Sequence, residues 1–347
     1  MAVGHPSKRV AKKRINLALQ GGGAHGAFTW GVLDRLLEDD EIEIAGISGT
    51  SAGALNGAAL KAGLIAGGAE AARENLDWLW RRVGSIGDMQ LATWMTGMGP
   101  GAGAVSKALE LSLPYNFADA ATRVFSPYLY GAFYRNPIEA IARRFHYDAV
   151  CSNDGPAFFV CATNVRTGKV RVFEGTEISA KSIAASACLP TLFQAVEIDG
   201  EAYWDGGYTG NPALFPLFAP ELPDDLVVVN INPLYREEVP KDPRDILNRI
   251  NEISFNSSLL RELRAINFVK RLIDDGKVEE GAMKNVLVHM IADDETMSGL
   301  SVASKIVPTP QVILELKEAG RSAADHFLRA SKEKLGHESS VDLTEMF

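Results

Sequence analysis

The chain has 347 residues, 46% hydrophobic and 23% charged, enough apolar content to bury one large core or two ordinary ones. Its 44 acidic residues outweigh 35 basic ones, and a net charge of −9 excludes a general nucleic-acid binder, whose phosphate contacts need a basic surface. The three cysteines, Cys151, Cys161 and Cys188, have no paired spacing, which argues against a disulfide framework or zinc site and for a reducing, cytoplasmic setting.

Residues 1–14 carry Lys8, Arg9, Lys12, Lys13 and Arg14 with no apolar run before Ile15, so they read as a basic tail and not a secretory signal. Such a tail is solvated or leans on anionic lipid headgroups. No stretch reaches membrane-spanning length, because the run of small apolar residues over 52–66 is interrupted by Asn56 and Lys61. Any membrane contact is therefore expected to be peripheral.

From Ile15 onward strand-like and helix-like segments alternate, the signature of an α/β domain with a largely parallel sheet. Strands are predicted over 15–19 and 42–47, each followed by a helix, over 27–37 and 51–65. The segment 83–135 breaks this rhythm. It is rich in glycine, methionine and aromatics (WMTGMGPGAGAV, FSPYLYGAFY), and reads equally as a lid or lipid-touching loop and as a helical insertion packed on the core. Further strands are predicted over 157–162, 169–173, 193–198, 226–231 and 286–291, with helices over 244–274 and 311–334. No repeat or linker interrupts the chain. A single domain over 15–335 is expected, with residues 336–347 as a C-terminal tail.

Two glycine-rich turns carry the chemistry. The first strand runs into Gly21-Gly22-Gly23-Ala24-His25-Gly26, where Gly21, Gly23 and Gly26 fit the dinucleotide fingerprint G-x-G-x-x-G. The second runs into Gly49-Thr50-Ser51-Ala52-Gly53, a G-x-S-x-G pattern in which a strand-to-helix turn pushes the serine hydroxyl outward. A dinucleotide fold needs an acidic residue at the end of the second strand to bind ribose. Here Glu41 and Glu43 lie at that strand's start, and a serine occupies its end. The first loop is better used as an oxyanion hole, since unobstructed glycine amides at a strand-to-helix turn can face a developing alkoxide.

A serine hydroxyl needs a neighbouring base. None of the six histidines has a motif around it, and His289 and His326 read as core or surface residues. Residues 193–204 read as a hairpin turning at Asp199-Gly200, which delivers Asp205-Gly206-Gly207 directly afterwards. Partial burial would raise the pKa of such an aspartate and make it a competent base. Its commonest fate in this context is nevertheless an Asx turn.

GGGAHG, GTSAG and DGG, in that order and spacing, together with Ala185-Ser-Ala-Cys-Leu-Pro190 and Asn211-Pro212, resemble the patatin-like phospholipases over about residues 15–232. The resemblance implies a three-layer α/β/α sandwich and acyl-ester hydrolysis of lipids through a Ser–Asp dyad without histidine. Ser51 would be the nucleophile, Asp205 the base, and Gly21, Gly22 and Gly23 the oxyanion donors. His25, Gly26, Gly49, Gly53, Gly206 and Gly207 would support the motifs. It implies a lipid or acyl-ester substrate, and neither cofactor nor metal. The family usually has Arg or Lys where this chain has His25, so a permanent charge becomes a titratable one. If His25 acts as a cation, activity should fall as pH rises past about 6.5. The same machinery would serve a thioesterase or transacylase, and outside that class stand a silent lipid-binding protein and a dinucleotide-binding protein. Oligomeric state is not written in the sequence.

Overall fold

The structure, a computed structural model, describes residues 12–84, 101–112, 126–134, 136–279 and 281–346. Most of the expected basic tail and much of the 83–135 segment fall outside these residues. Strand β1 (Lys13–Leu19) starts inside the expected tail, where Lys13 Nζ donates to the Leu335 carbonyl at 3.3 Å. Helix α1 (Ala27–Leu36), strand β2 (Ile42–Thr50) and helix α2 (Ala52–Gly84) follow. β2 runs three residues past its predicted end. Ser48, Gly49 and Thr50 are too small and polar to register as an apolar run, yet all three are buried. α2 extends past its predicted end to Gly84, across a break at Gly67 and Gly68, where φ and ψ leave the helical range.

Within the expected insertion, helix α3 (Ala102–Leu111) and a short helical turn over Pro127–Phe133 are described. Next come β3 (Ala157–Asn164), β4 (Val170–Glu174), helix α4 (Ala180–Ser186), β5 (Val196–Ile198) and β6 (Glu201–Asp205). β7 (Asp225–Val229), the long helix α5 (Pro243–Asp274), β8 (Leu287–Ile291), a short helix α6 (Val302–Ile306) and helix α7 (Pro310–Ser331) complete the chain. Asp199 and Gly200 both take positive φ, at 52° and 80°, closing the predicted hairpin between β5 and β6.

The sheet has eight strands. β3, β2, β1, β7 and β8 are mutually parallel, with β4, β5 and β6 antiparallel at the β3 end. The central strands are apolar on both faces because both are covered. Ile15, Leu17, Leu19, Val227 and Val229 point into the core formed with α1, α2 and α7. Ala18, Leu226 and Val228 point the other way, onto Leu259 and Leu263 of α5. The result is the expected α/β sandwich of helix, mostly parallel sheet and helix.

The last residues are tied to the sheet: the Gly336 amide donates to Asp225 Oδ1 and the Val288 amide to Ser339 Oγ, while Leu343 is buried. No helix among the described residues is long and apolar enough to cross a membrane.

Candidate active site

Strand register brings the two halves of the site together. Along one edge of β3, β2 pairs as far as Thr50 opposite Cys161, and the next position, Ala162, pairs with Asp205 of β6. β4 occupies the opposite edge of β3 over the same stretch. β2 and β6 therefore run towards each other along a shared neighbour and stop head to head. The residue leaving β2 is Ser51, and the residue closing β6 is Asp205.

Ser51 has φ 55°, a left-handed conformation that L-residues adopt at a cost of about 1–3 kcal/mol. Its surroundings hold it there. The Ser51 amide donates to Ser186 Oγ at 2.8 Å, and that hydroxyl donates in turn to the Cys161 carbonyl at 2.6 Å. The Leu55 amide caps the Ser51 carbonyl at 3.1 Å as α2 begins. Gly53 lies against the Leu19 carbonyl, with no room for a side chain, so the bend is pressed onto the end of β1. Ser51 itself is 7% exposed.

The glycine loop lies over this serine. A methyl group on Gly21 would sit 2.7 Å from Ser51 Cβ. The Gly21 amide, expected as an oxyanion donor, donates instead to Asn211 Oδ1 at 2.7 Å, and its carbonyl accepts from Asn232 Nδ2 at 2.8 Å. Gly21 therefore anchors the loop. The amides of Gly22 and Gly23 have no partner among the described residues and remain available to a ligand. Gln20 Oε1 completes the anchorage by accepting from the Ile231 amide at 2.9 Å and the Asn232 amide at 3.2 Å. These long-range partners carry no local motif. Of these partners, only Ser186 and Asn211 lie in segments that carry the family resemblance.

Asp205 is held at three points. Its amide donates to the Cys188 carbonyl at 2.8 Å, its carbonyl accepts from Thr163 Oγ1 at 2.8 Å, and its Oδ1 accepts from the Gly207 amide at 2.8 Å. The Asx turn and the approach to the serine thus coexist. Gly206 backs directly onto the Cys161 carbonyl. Burial pushes the Asp205 carboxyl up to about 7, opposed only by the Gly207 amide and a hydrogen bond from the Ser51 hydroxyl. Tyr208 packs edge-on against Phe255 of α5, ring centres 5.4 Å apart, and closes one wall beside this turn.

The surroundings of His25 disfavour the cationic role that its position left open. It is fully buried, its Nε2 lies 2.8 Å from Ser304 Oγ, and burial together with the nearby Lys305 and Arg236 charges holds its pKa well below the ordinary value. A protonated imidazole is disfavoured there, so His25 is a neutral strut between the glycine loop and α6. His289 is committed elsewhere, 3.0 Å from Asp225 Oδ1. Gly26 packs against Ala52 and Trp80, and Gly49 against the Gly53 carbonyl, so every residue marked in the three motifs lies in one of three turns at this edge. Among the described residues, no three His, Cys, Asp or Glu side chains are grouped to hold a metal.

The site thus sets a serine at the end of β2, a carboxyl of near-neutral pKa at the end of β6, and a glycine loop with two unpartnered amides among the described residues. A family model described as "Patatin; Patatin-like phospholipase" matches residues 17–218. Among solved structures, the chain resembles VipD from Legionella pneumophila at 14% identity and TM-score 0.43, over 92% of this chain and 67% of that one. It also resembles the type III effector protein ExoU at 15% identity and TM-score 0.33, over 92% of this chain and 53% of that one. No curated protein matches it.

Proposed function

Because the chain belongs to the patatin-like phospholipase family, whose members are carboxylic ester hydrolases, we propose that it cleaves lipid acyl esters with Ser51 as nucleophile and Asp205 as general base. The observation that carries this reading is the register of β2 and β6 on β3, which ends one strand just before Ser51 and the other at Asp205, a carboxyl that burial pushes up to about 7. Each pKa unit is about 1.4 kcal/mol, so the rise from 3.8 to about 7 strengthens the base by about 4 kcal/mol over an exposed aspartate. It still leaves the group largely ionised at slightly alkaline pH.

In the first step Asp205 accepts the Ser51 proton as Oγ attacks the ester carbonyl. The Gly22 and Gly23 amides receive the oxyanion, each such donor contributing about 2.7–4 kcal/mol of barrier lowering. The N-terminus of α2 adds its dipole to the same space. Protonated Asp205 then gives its proton to the departing alcohol. Water repeats the sequence on the acyl-enzyme and regenerates Ser51.

Two measurements test this together: labelling by a fluorophosphonate probe, and fatty-acid release from phosphatidylcholine and lysophosphatidylcholine. Wild type should label and hydrolyse, Ser51→Ala should do neither, and Asp205→Asn should label far more slowly. Fatty-acid release that survives in Ser51→Ala would sink the assignment. Acyl-CoA as a competing substrate separates ester from thioester preference.

A further inference from the structure

Helix α5 buries one stripe and presents another. Glu252, Asn256, Leu259, Leu263 and Ile266 face the protein and are buried. At 100° per residue the opposite face of the opening turns is made of Ile246, Ile250 and Ile253, spaced i, i+4, i+7, with Leu247 beside them. Water-exposed aliphatics in such a row on a helix otherwise anchored by a polar stripe mark an interaction surface. Their exposures are 41%, 54%, 54% and 44%.

Topology places this face. β7 is parallel to β1, so it exits at the carboxyl edge of the sheet where Ser51 and the glycine loop lie, and α5 begins after the loop that leaves that edge. The first turns of α5 also flank a cleft of mixed lining that includes Arg236, Val239, Asp245, Arg249, Leu300 and Ser301. That cleft leads into α6, whose Lys305 carbonyl abuts Gly23. Further along the helix, Phe255 rests on the Asp205 turn. One rigid element thus carries the apolar face and a wall of the candidate site.

We infer that this outward face of α5 docks the protein on a lipid bilayer. The inference rests on the lipid acyl-ester reading above. An ester carbonyl sits at the boundary of the hydrocarbon layer, and a nucleophile as enclosed as Ser51 reaches it only if the protein seats itself against that layer. A helix lying in the interface with its aliphatic side dipped and its bases at the headgroups meets this requirement. The charge fits an anionic leaflet. α5 has six basic residues against four acids in a chain of net charge −9, and exposed Arg261 and Arg264 continue the outward face beyond Ile253. A second copy of the chain would meet the same positive helix and gain no such complementarity.

The test uses the full chain with vesicles of equimolar phosphatidylcholine and phosphatidylglycerol. The variant Leu247→Ser/Ile250→Ser/Ile253→Ser should lose vesicle co-sedimentation by at least about tenfold while cleaving a monomeric short-chain ester at the wild-type rate. Ile250→Trp should show a blue-shifted emission on vesicle addition, a readout that does not depend on the triple variant folding. Undiminished co-sedimentation of a folded triple variant overturns the docking assignment, as does an emission from Ile250→Trp that stays unshifted with vesicles bound. So does a wild-type dimer that the triple variant splits with vesicle binding intact. Failure of the hydrolase reading is separate: Ser51→Ala would then keep ester cleavage, whatever the vesicles show.

Discussion

Asp205 and Asp34 are both nearly sealed from solvent, yet their chemistry diverges. Burial raises both carboxyls, but around Asp34 it is outweighed by the Arg73 hydrogen bond at 2.7 Å and the charges of Lys317, Arg73 and Arg321, which hold its pKa below the usual value. Around Asp205 no cation takes part, only an amide and a hydroxyl, and the pKa climbs to about 7. The same fold therefore makes one carboxylate a permanent anion that ties α1 to α2 and α7, and another a proton acceptor. Compensating charge, and not depth, separates a structural acid from a candidate base.

Removing the ionisable group tests that contrast most severely. Asp205→Asn should lower kcat by about 10⁴-fold, since an amide cannot accept the serine proton. It should also stabilise the fold at pH 8. A carboxyl whose pKa is raised on folding favours the folded state at low pH, and that contribution is lost as pH rises from about 4 through about 7. Asparagine is free of this loss, so urea denaturation at pH 8 should show a gain on the order of 2–4 kcal/mol that narrows as the pH falls towards 4. A variant equally active, or one whose stability gain over wild type is no larger at pH 8 than at pH 4, would break the comparison.

The wild-type pH profile is the next handle. If Asp205 must be ionised to act, kcat/KM should be flat above about pH 8 and fall about tenfold for each pH unit below 7. A limb centred near 4 would mean that burial has not raised this carboxyl.

Asp34→Asn sharpens the other side. It should leave kcat unchanged and cost about 1–3 kcal/mol, reduced from a fully buried ion pair because Arg73 and Arg321 are partly exposed. The sign with pH is opposite to that of Asp205. A lowered carboxylate pKa stabilises the fold above its unfolded value near 3.8 and ceases to do so as pH falls below it, so the penalty of Asp34→Asn should be visible at pH 7 and vanish in acid.

How much of this was written locally in the chain follows from the reach of each interaction. The parallel core was legible because β1, β2 and β7 are short apolar runs followed by helices, and Ser51 and Asp205 stood out because sharp turns force glycine into a recognisable spacing. The head-to-head meeting of β2 and β6 was not legible, since it depends on β3 lending one edge to two strands. Neither was the reassignment of Gly21. Its amide is taken by a side chain 190 positions away, and its carbonyl by one 211 away. The exposed face of α5 went unmarked because amphipathic periodicity identifies a buried stripe and is silent about apolar residues on the other side.

His25 extends the comparison to a base of the other charge type. Cations depress a carboxylate pKa, which keeps Asp34 ionised, and they also depress an imidazole pKa, which keeps His25 uncharged. Lys305 and Arg236 add to burial in that direction. His25 should therefore already be neutral around its ordinary value of 6.5, so its titration should contribute no fall in activity as the pH rises past that point. His25→Gln, which retains a polar partner for Ser304, should leave the midpoint of kcat/KM where Asp205 sets it and lower the rate only as far as the strut between loop and α6 is loosened. A fall in wild-type activity above pH 6.5 that disappears in His25→Gln would show a charged imidazole in the glycine loop, and with it that the field of Lys305 and Arg236 is weaker than their placement implies.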